Sequence, residues 1–144
     1  MKFAAFASTA IILAGATSGF ADPISERKDN MKDRGALMRV LAPIAQGQQP
    51  FDAATVMDAL EKLNADAQAA IDIDVLWPAG SETGDTKSSP RIWSEREAFQ
   101  AAVDKFASDT AAAVAANPQD LPAFQAVFGP VASNCGSCHE AFRL

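Results

Sequence analysis

Near the end of a 144-residue chain stand two thiols and one imidazole, and they are the only cysteines and the only histidine it has. The stretch reads Cys135-Gly136-Ser137-Cys138-His139. C-x-x-C-H is the pattern of c-type haem attachment. Two thiols three residues apart can each add to one vinyl group of a haem. The histidine after the second thiol is then held under the iron as an axial ligand. Three blander chemistries compete. A structural zinc site takes four protein ligands, and no second Cys/His cluster is present to complete one. A thioredoxin-like redox motif sits beside a βαβ pattern, whereas the context here is helical. A disulfide suits an exported chain but leaves the adjacent histidine without a reason. The motif therefore reads as one covalently bound haem c, with Cys135 and Cys138 as thioether donors and His139 as the proximal ligand.

A single histidine excludes a bis-histidine haem. A strong sixth ligand would then be a methionine, and past the N-terminal segment these are Met31, Met38 and Met57. Choosing among them requires the elements that carry them.

The chain opens with Met1-Lys2, an apolar run from Phe3 to Ala16, and Gly19-Phe20-Ala21. A short positive region, a short apolar stretch and a small-x-small site make a secretory signal, with an uncleaved anchor as the alternative. Cleavage after Ala21 leaves residues 22–144, 123 residues by subtraction from 144, which is enough for one domain with a real core. Removing Lys2 leaves 11 basic and 18 acidic residues, a net charge of −7. No clustered basic surface suggests nucleic acid, and no later apolar run is long enough to span a bilayer.

Four segments carry helical periodicity. The first runs from about Ile24 to Gln46 with Ile24, Met31, Met38, Leu41 and Ala45 on one stripe, and Gly47 as its stop. The second starts at the N-cap candidate Asp52 and carries Val56, Leu60, Leu63, Ala67 and Ile71. The third follows Pro90 with Ile92, Phe99, Val103, Phe106 and Val114, ending near Asn117-Pro118. The fourth starts near Asp120 and carries Leu121, Phe124, Val127, Phe128, Val131, Cys135 and Phe142, with a kink expected at Pro130. Short first and third connections favour an all-α, up-down-up-down antiparallel four-helix bundle. The longer second connection, roughly Asp74 to Ser89, contains Trp77 and reads as an ordered loop folded back on one end of the bundle.

In that topology the first helix runs beside the last. His139 lies about 8 Å from the C-terminal end at 1.5 Å per residue, and Met31 about 10 Å from the start of the first helix, so the two are level. Met38 lies about two turns deeper, and Met57 at the opposite end of the bundle. Met31 is thus the ligand candidate, with a gap-filling core methionine as the alternative; Met38 and Met57 read as core. The same levels bring Trp93 and the Trp77 loop to the haem end. Arg27, one turn before Met31, and Arg143, four residues past His139, are candidates for the propionates and the proximal side; solvated surface arginines are the alternative. Phe142 packs against the proximal face or closes the core. Acidic residues outnumber basic ones at this end, so no basic docking ring emerges.

With these residues in place the chain resembles the class II c-type cytochromes, the cytochrome c-prime family, and among them the low-spin c-556 type. The resemblance covers essentially the whole of residues 22–144. It rests on Cys135 to His139 with Phe142-Arg143, on Arg27 to Lys32, on Ser89 to Trp93 leading to Phe99, and on the Gly47 turn. Attachment near the C-terminus separates it from class I cytochromes c. The resemblance implies a four-helix bundle with haem c and electron transfer in a bacterial periplasm. It also implies a methionine ligand at the position of Met31; c-prime members have a non-ligating residue there and an open, gas-binding iron. The expected function is a one-electron carrier with His139 and Met31 as axial ligands. A five-coordinate haem protein binding NO or CO is the alternative. No enzymatic constellation is present, and the expected partners are redox proteins of the periplasm, the carrier itself being a monomer or homodimer.

Overall fold

The computed structural model describes residues 22–144. The expected export signal and its cut after Ala21 lie outside the described residues. Six helices follow in order: α1 Pro23–Ala45, α2 Ala53–Ala69, α3 Ile73–Leu76, α4 Arg91–Ser94, α5 Arg96–Ala116 and α6 Leu121–Phe142. The four long ones form the up-down-up-down bundle.

Each long helix other than α5 starts at an aspartate whose carboxylate accepts backbone N–H groups that the helix itself leaves unpaired. Asp22 accepts from Ile24 and Ser25, Asp52 from Thr55 at 2.7 Å, and Asp120 from Ala123 at 2.8 Å. The stops are equally local. Gly47, with φ of 71°, takes the left-handed turn after α1, and Asn117, with φ of 44°, does so after α5 before Pro118. One departure from the sequence reading concerns helix continuity. The third periodic segment breaks at Glu95, whose φ and ψ of −120° and 49° leave the helical region, so α4 and α5 are separate. Pro130 lies within α6, which runs to Phe142, and Pro43 sits inside the end of α1.

The core has two parts. The larger is built on Leu41, Val56, Leu60, Leu63, Phe124 and Val131, contributed by α1, α2 and α6, with Phe106 and Ala113 from α5. Phe124 is fully buried and packs on Phe51 and Phe128 with centroids at 6.2 and 5.0 Å. The smaller part lies at the other end and joins Ile73, Leu76, Trp77, Ile92, Phe99 and Phe142. It brings the 74–89 connection down onto the bundle, as expected for a loop carrying a tryptophan. The loop then meets the end of α6. Ser89 N donates to Phe142 O and Leu144 N donates to Lys87 O, both at 2.9 Å, around an antiparallel bridge between Ser88 and Arg143.

Phe124→Ala should cost about 3–5 kcal/mol of stability through the cavity it leaves. Urea unfolding of the holoprotein followed by far-UV circular dichroism measures this.

Candidate haem site

The C-x-x-C-H stretch lies wholly within α6. On a helix, residues i, i+3 and i+4 share a face. Cys135, Cys138 and His139 therefore present two thiols and an imidazole on one side, while Gly136 and Ser137 are exposed on the other. Both cysteines are free and half-buried. Burial pushes both thiols above the ordinary cysteine value, and the Arg34 cation offsets part of that push at each. Burial first, and then the Arg143 charge, hold the His139 imidazole below the usual histidine value, so its neutral form is favoured at neutral pH. A neutral imidazole has the free lone pair that a metal needs.

This face looks into a groove with two adjoining cavities. The larger, about 390 Å³, has apolar walls from Trp77, Ile92, Phe99, Val103 and Phe142. Trp77, Phe99 and Phe142 meet edge to face, with centroids at 4.8 and 5.2 Å. The second, about 200 Å³, is walled by Met38, Ala102 and Phe106 with Cys135. Six residues line both: Met31, Arg34, Trp77, Val103, Cys138 and His139. Met31 and His139 thus meet across one space, from the first helix and the last. Met38, read from the sequence as core, packs against the main core and also walls the second cavity.

Arg27 is 4% exposed and lines the larger cavity. Its Nη1 donates to Leu76 O (3.1 Å) and Ser81 Oγ (3.0 Å), and its Nη2 to Ser81 O (3.0 Å). Among the described residues Arg27 Nε finds no acceptor although it is buried. Burial, ahead of the attraction of Asp22 and Glu82, pulls its pKa below the usual arginine value. Trp93 stands one step behind. It stacks on the Arg27 guanidinium at 5.6 Å and donates from Nε1 to Pro78 O at 3.1 Å; neither cavity has it in its wall. Arg143 is exposed at the rim of the larger cavity, and Phe142 is both cavity wall and core.

The sequence reading missed the roles of Arg34 and Lys87. Counting charge by bundle end also concealed a local asymmetry. Five basic residues, Arg27, Lys28, Arg34, Lys87 and Arg143, line the larger cavity and no acidic residue does. Arg34, three residues past Met31, carried the same spacing signal as Arg27, four residues before it.

The groove fits a haem on four counts. Flat apolar walls suit the macrocycle, and the cations with the unpartnered Arg27 Nε suit two propionates. The paired thiols suit two vinyl groups, and His139 and Met31 offer a nitrogen and a thioether to iron. The two cavities together fall within the roughly 300–1,000 Å³ of cofactor pockets.

Residues 22–143 match the family model described as Cytochrome C'. The chain is 35% identical over 124 residues to a cytochrome c-556 of Agrobacterium fabrum, covering 86% of this chain and 82% of that protein. Among solved structures, cytochrome c' from Rhodopseudomonas palustris superposes with a TM-score of 0.78 at 33% identity, covering 86% of this chain and 97% of that one. The NMR-validated structure of oxidized cytochrome c556 from the same organism superposes with a TM-score of 0.71 at 32% identity, covering 85% and 96%. Among the described residues no helix is long and apolar enough to cross a membrane.

Arg27→Ala removes three hydrogen bonds that tie α1 to Leu76 at the end of α3 and to Ser81 in the 77–90 loop. It should cost about 2–3 kcal/mol and raise amide hydrogen exchange around Ser81 well above that of α2. Arg27→Lys, with one donor centre for two separated carbonyls, should recover less than half of the loss.

Proposed function

The chain belongs to the cytochrome c' family and carries one covalently bound haem c near its C-terminus, and on that premise we propose that it is an exported one-electron carrier with His139 and Met31 as the two axial ligands. The family holds electron carriers and gas-binding haem proteins alike, and the residue opposite the histidine separates them. The observation that supports the carrier reading is that Met31 lines both cavities together with Cys138 and His139.

Each residue then has a task. Cys135 and Cys138 hold the haem through thioethers. When bound, the haem supplies a one-electron ferric/ferrous couple, which histidine–methionine ligation moves to higher potential. His139 offers its imidazole in the neutral form that burial favours. Met31 offers a thioether from α1. The edge-to-face group of Trp77, Phe99 and Phe142 gives the macrocycle an apolar wall. Arg27, Lys87 and Arg143 face the carboxylates of the propionates, and Trp93 acts through Arg27 by fixing its guanidinium plane. Two ligands from the protein leave no coordination position for a substrate, so the reading is a carrier and not an enzyme.

Residues 1–21 serve as the export signal on this reading, and the start of the family match at residue 22 supports the boundary. The compartment is the periplasm, and the donor and acceptor are redox proteins found there.

Absorption spectra of the purified holoprotein test the ligand set. The reduced wild type should give sharp low-spin bands, the ferric form a weak band at the red edge from iron–sulfur ligation, and carbon monoxide should change little. Met31→Leu should lose the red-edge band, turn high-spin and respond strongly to carbon monoxide. A wild type that is already high-spin and shifts with carbon monoxide gives the site to gas binding instead.

A further inference from the structure

Arg34 is a cation at the thiol side of the groove, and contacts from neighbouring helices fix it there. Its side chain is 17% exposed and its Nε pairs with the Asp66 carboxylate of α2. The other oxygen of Asp66 accepts from Asn30 Nδ2. The guanidinium also lies over the Phe106 ring of α5, 4.9 Å from its centroid. Three helices therefore hold one charge in place. Arg34 lines both cavities, and Asp66 lines neither. The pair is thus a dipole with its positive end toward the groove. The Arg34 charge opposes, at both Cys135 and Cys138, the upward push of burial on the thiols.

The other cations have a different bearing. Arg27 is bonded into the 77–90 loop, and Lys87 and Arg143 sit by the bridge to the C-terminus. Among the described residues none of the three forms an ion pair with a carboxylate, and all three line the larger cavity. Arg34 already has its carboxylate. Asp66 is set back in α2, so it leaves part of the positive field directed into the cavity.

We propose that Arg34, held by Asp66, is a positioning residue for the redox reaction: a fixed cation that shifts the site toward its reduced state. Reduction brings one electron from an external one-electron donor to the iron. No bond forms or breaks, no proton moves, and the charge of the site falls by one. A cation fixed in a partly buried groove favours the state with the lower charge, because the interior screens it far less than water does. The proposal rests on the carrier reading given above.

Spectroelectrochemical titration of the holoprotein at pH 7 and low salt, with soluble one-electron mediators, tests it on wild type, Arg34→Gln, Arg34→Lys and Asp66→Asn. Arg34→Gln should lower the midpoint so that the ferric-to-ferrous ratio at the wild-type midpoint rises at least about threefold, or about 28 mV at 59 mV per tenfold. Arg34→Lys keeps the charge and should recover most of that shift. Asp66→Asn removes the compensating negative charge and should move the midpoint the other way. The proposal is overturned if Arg34→Gln leaves the ratio within about 1.5-fold, the smallest shift we count as real at 59 mV per tenfold. It is also overturned if Arg34→Lys falls as far as Arg34→Gln, since the effect is then packing and not charge. Spectra recorded in the same cell keep the two ideas apart. Low-spin bands with no midpoint shift sink the role of Arg34 alone, whereas a high-spin wild type sinks the ligand set beneath it.

Discussion

The last turn of α6 is held from outside the helix. A helix leaves its final carbonyls without N–H partners, and here the chemistry-bearing residues lie within eight positions of its last residue, Phe142. Ser89 N closes the Phe142 carbonyl, and Lys87 O takes the N–H of Leu144. The 77–90 connection thereby clamps the C-terminus. It is itself fastened to α1 by Arg27, through Leu76 and Ser81, and by the Lys28–Asp85 ion pair at 2.5 Å. Helix α1, the loop and the end of α6 form one closed circuit of contacts. The cavity lies inside it, and the positions of Met31 and His139 depend on it.

Charge is organised on the same scale. The whole chain is acidic, with a formal net charge of −6, yet the wall of the larger cavity carries cations alone. Acidic residues are kept outside it and serve as anchors. Asp66 fixes Arg34, Asp85 fixes Lys28, and Glu95 fixes Arg91 through a two-pronged pair at 2.8 and 2.9 Å. The exposed pairs among these, Lys28–Asp85 and Arg91–Glu95, contribute little to stability. Their effect is to aim the cations, so a protein repelled by anions at long range still presents a positive pocket to an anionic group that enters it.

The bundle was legible in the sequence because its causes are local. Asp52 and Asp120 announce two starts, Gly47 and Asn117 announce two stops, and the apolar spacing between them sets the faces. The level of Met31 against His139 also followed, since rise per residue and antiparallel order suffice to compute it. The missing parts depend on partners far apart in the chain. Nothing about position 34 tells that Asp66 will meet it, or that Phe106 will lie beneath it. Trp93 and Trp77 have the same composition signal, but Trp77 reaches the cavity and Trp93 stays behind Arg27. The break at Glu95 was hidden because its neighbours keep helical spacing on both sides.

On the proposed ligand set, the iron joins the first helix to the last. Met31 and His139 are 108 positions apart (139 minus 31). Closing a loop of about that length in an unfolded chain costs about 4.7 kcal/mol in the chain-entropy account of cross-links. The haem stays on α6 in the unfolded chain through its thioethers, so the link that folding adds is the one to Met31. Packing α1 beside α6 meets that closure cost beforehand, through Leu41 and Val131 in the core and through the Arg27 circuit at the site. The methionine bond then has only to outweigh the local freedom of a side chain that is 39% exposed. On that ligand set one bundle can serve a closed carrier or an open gas binder, with the residue at position 31 and the contacts that hold its helix level as the difference.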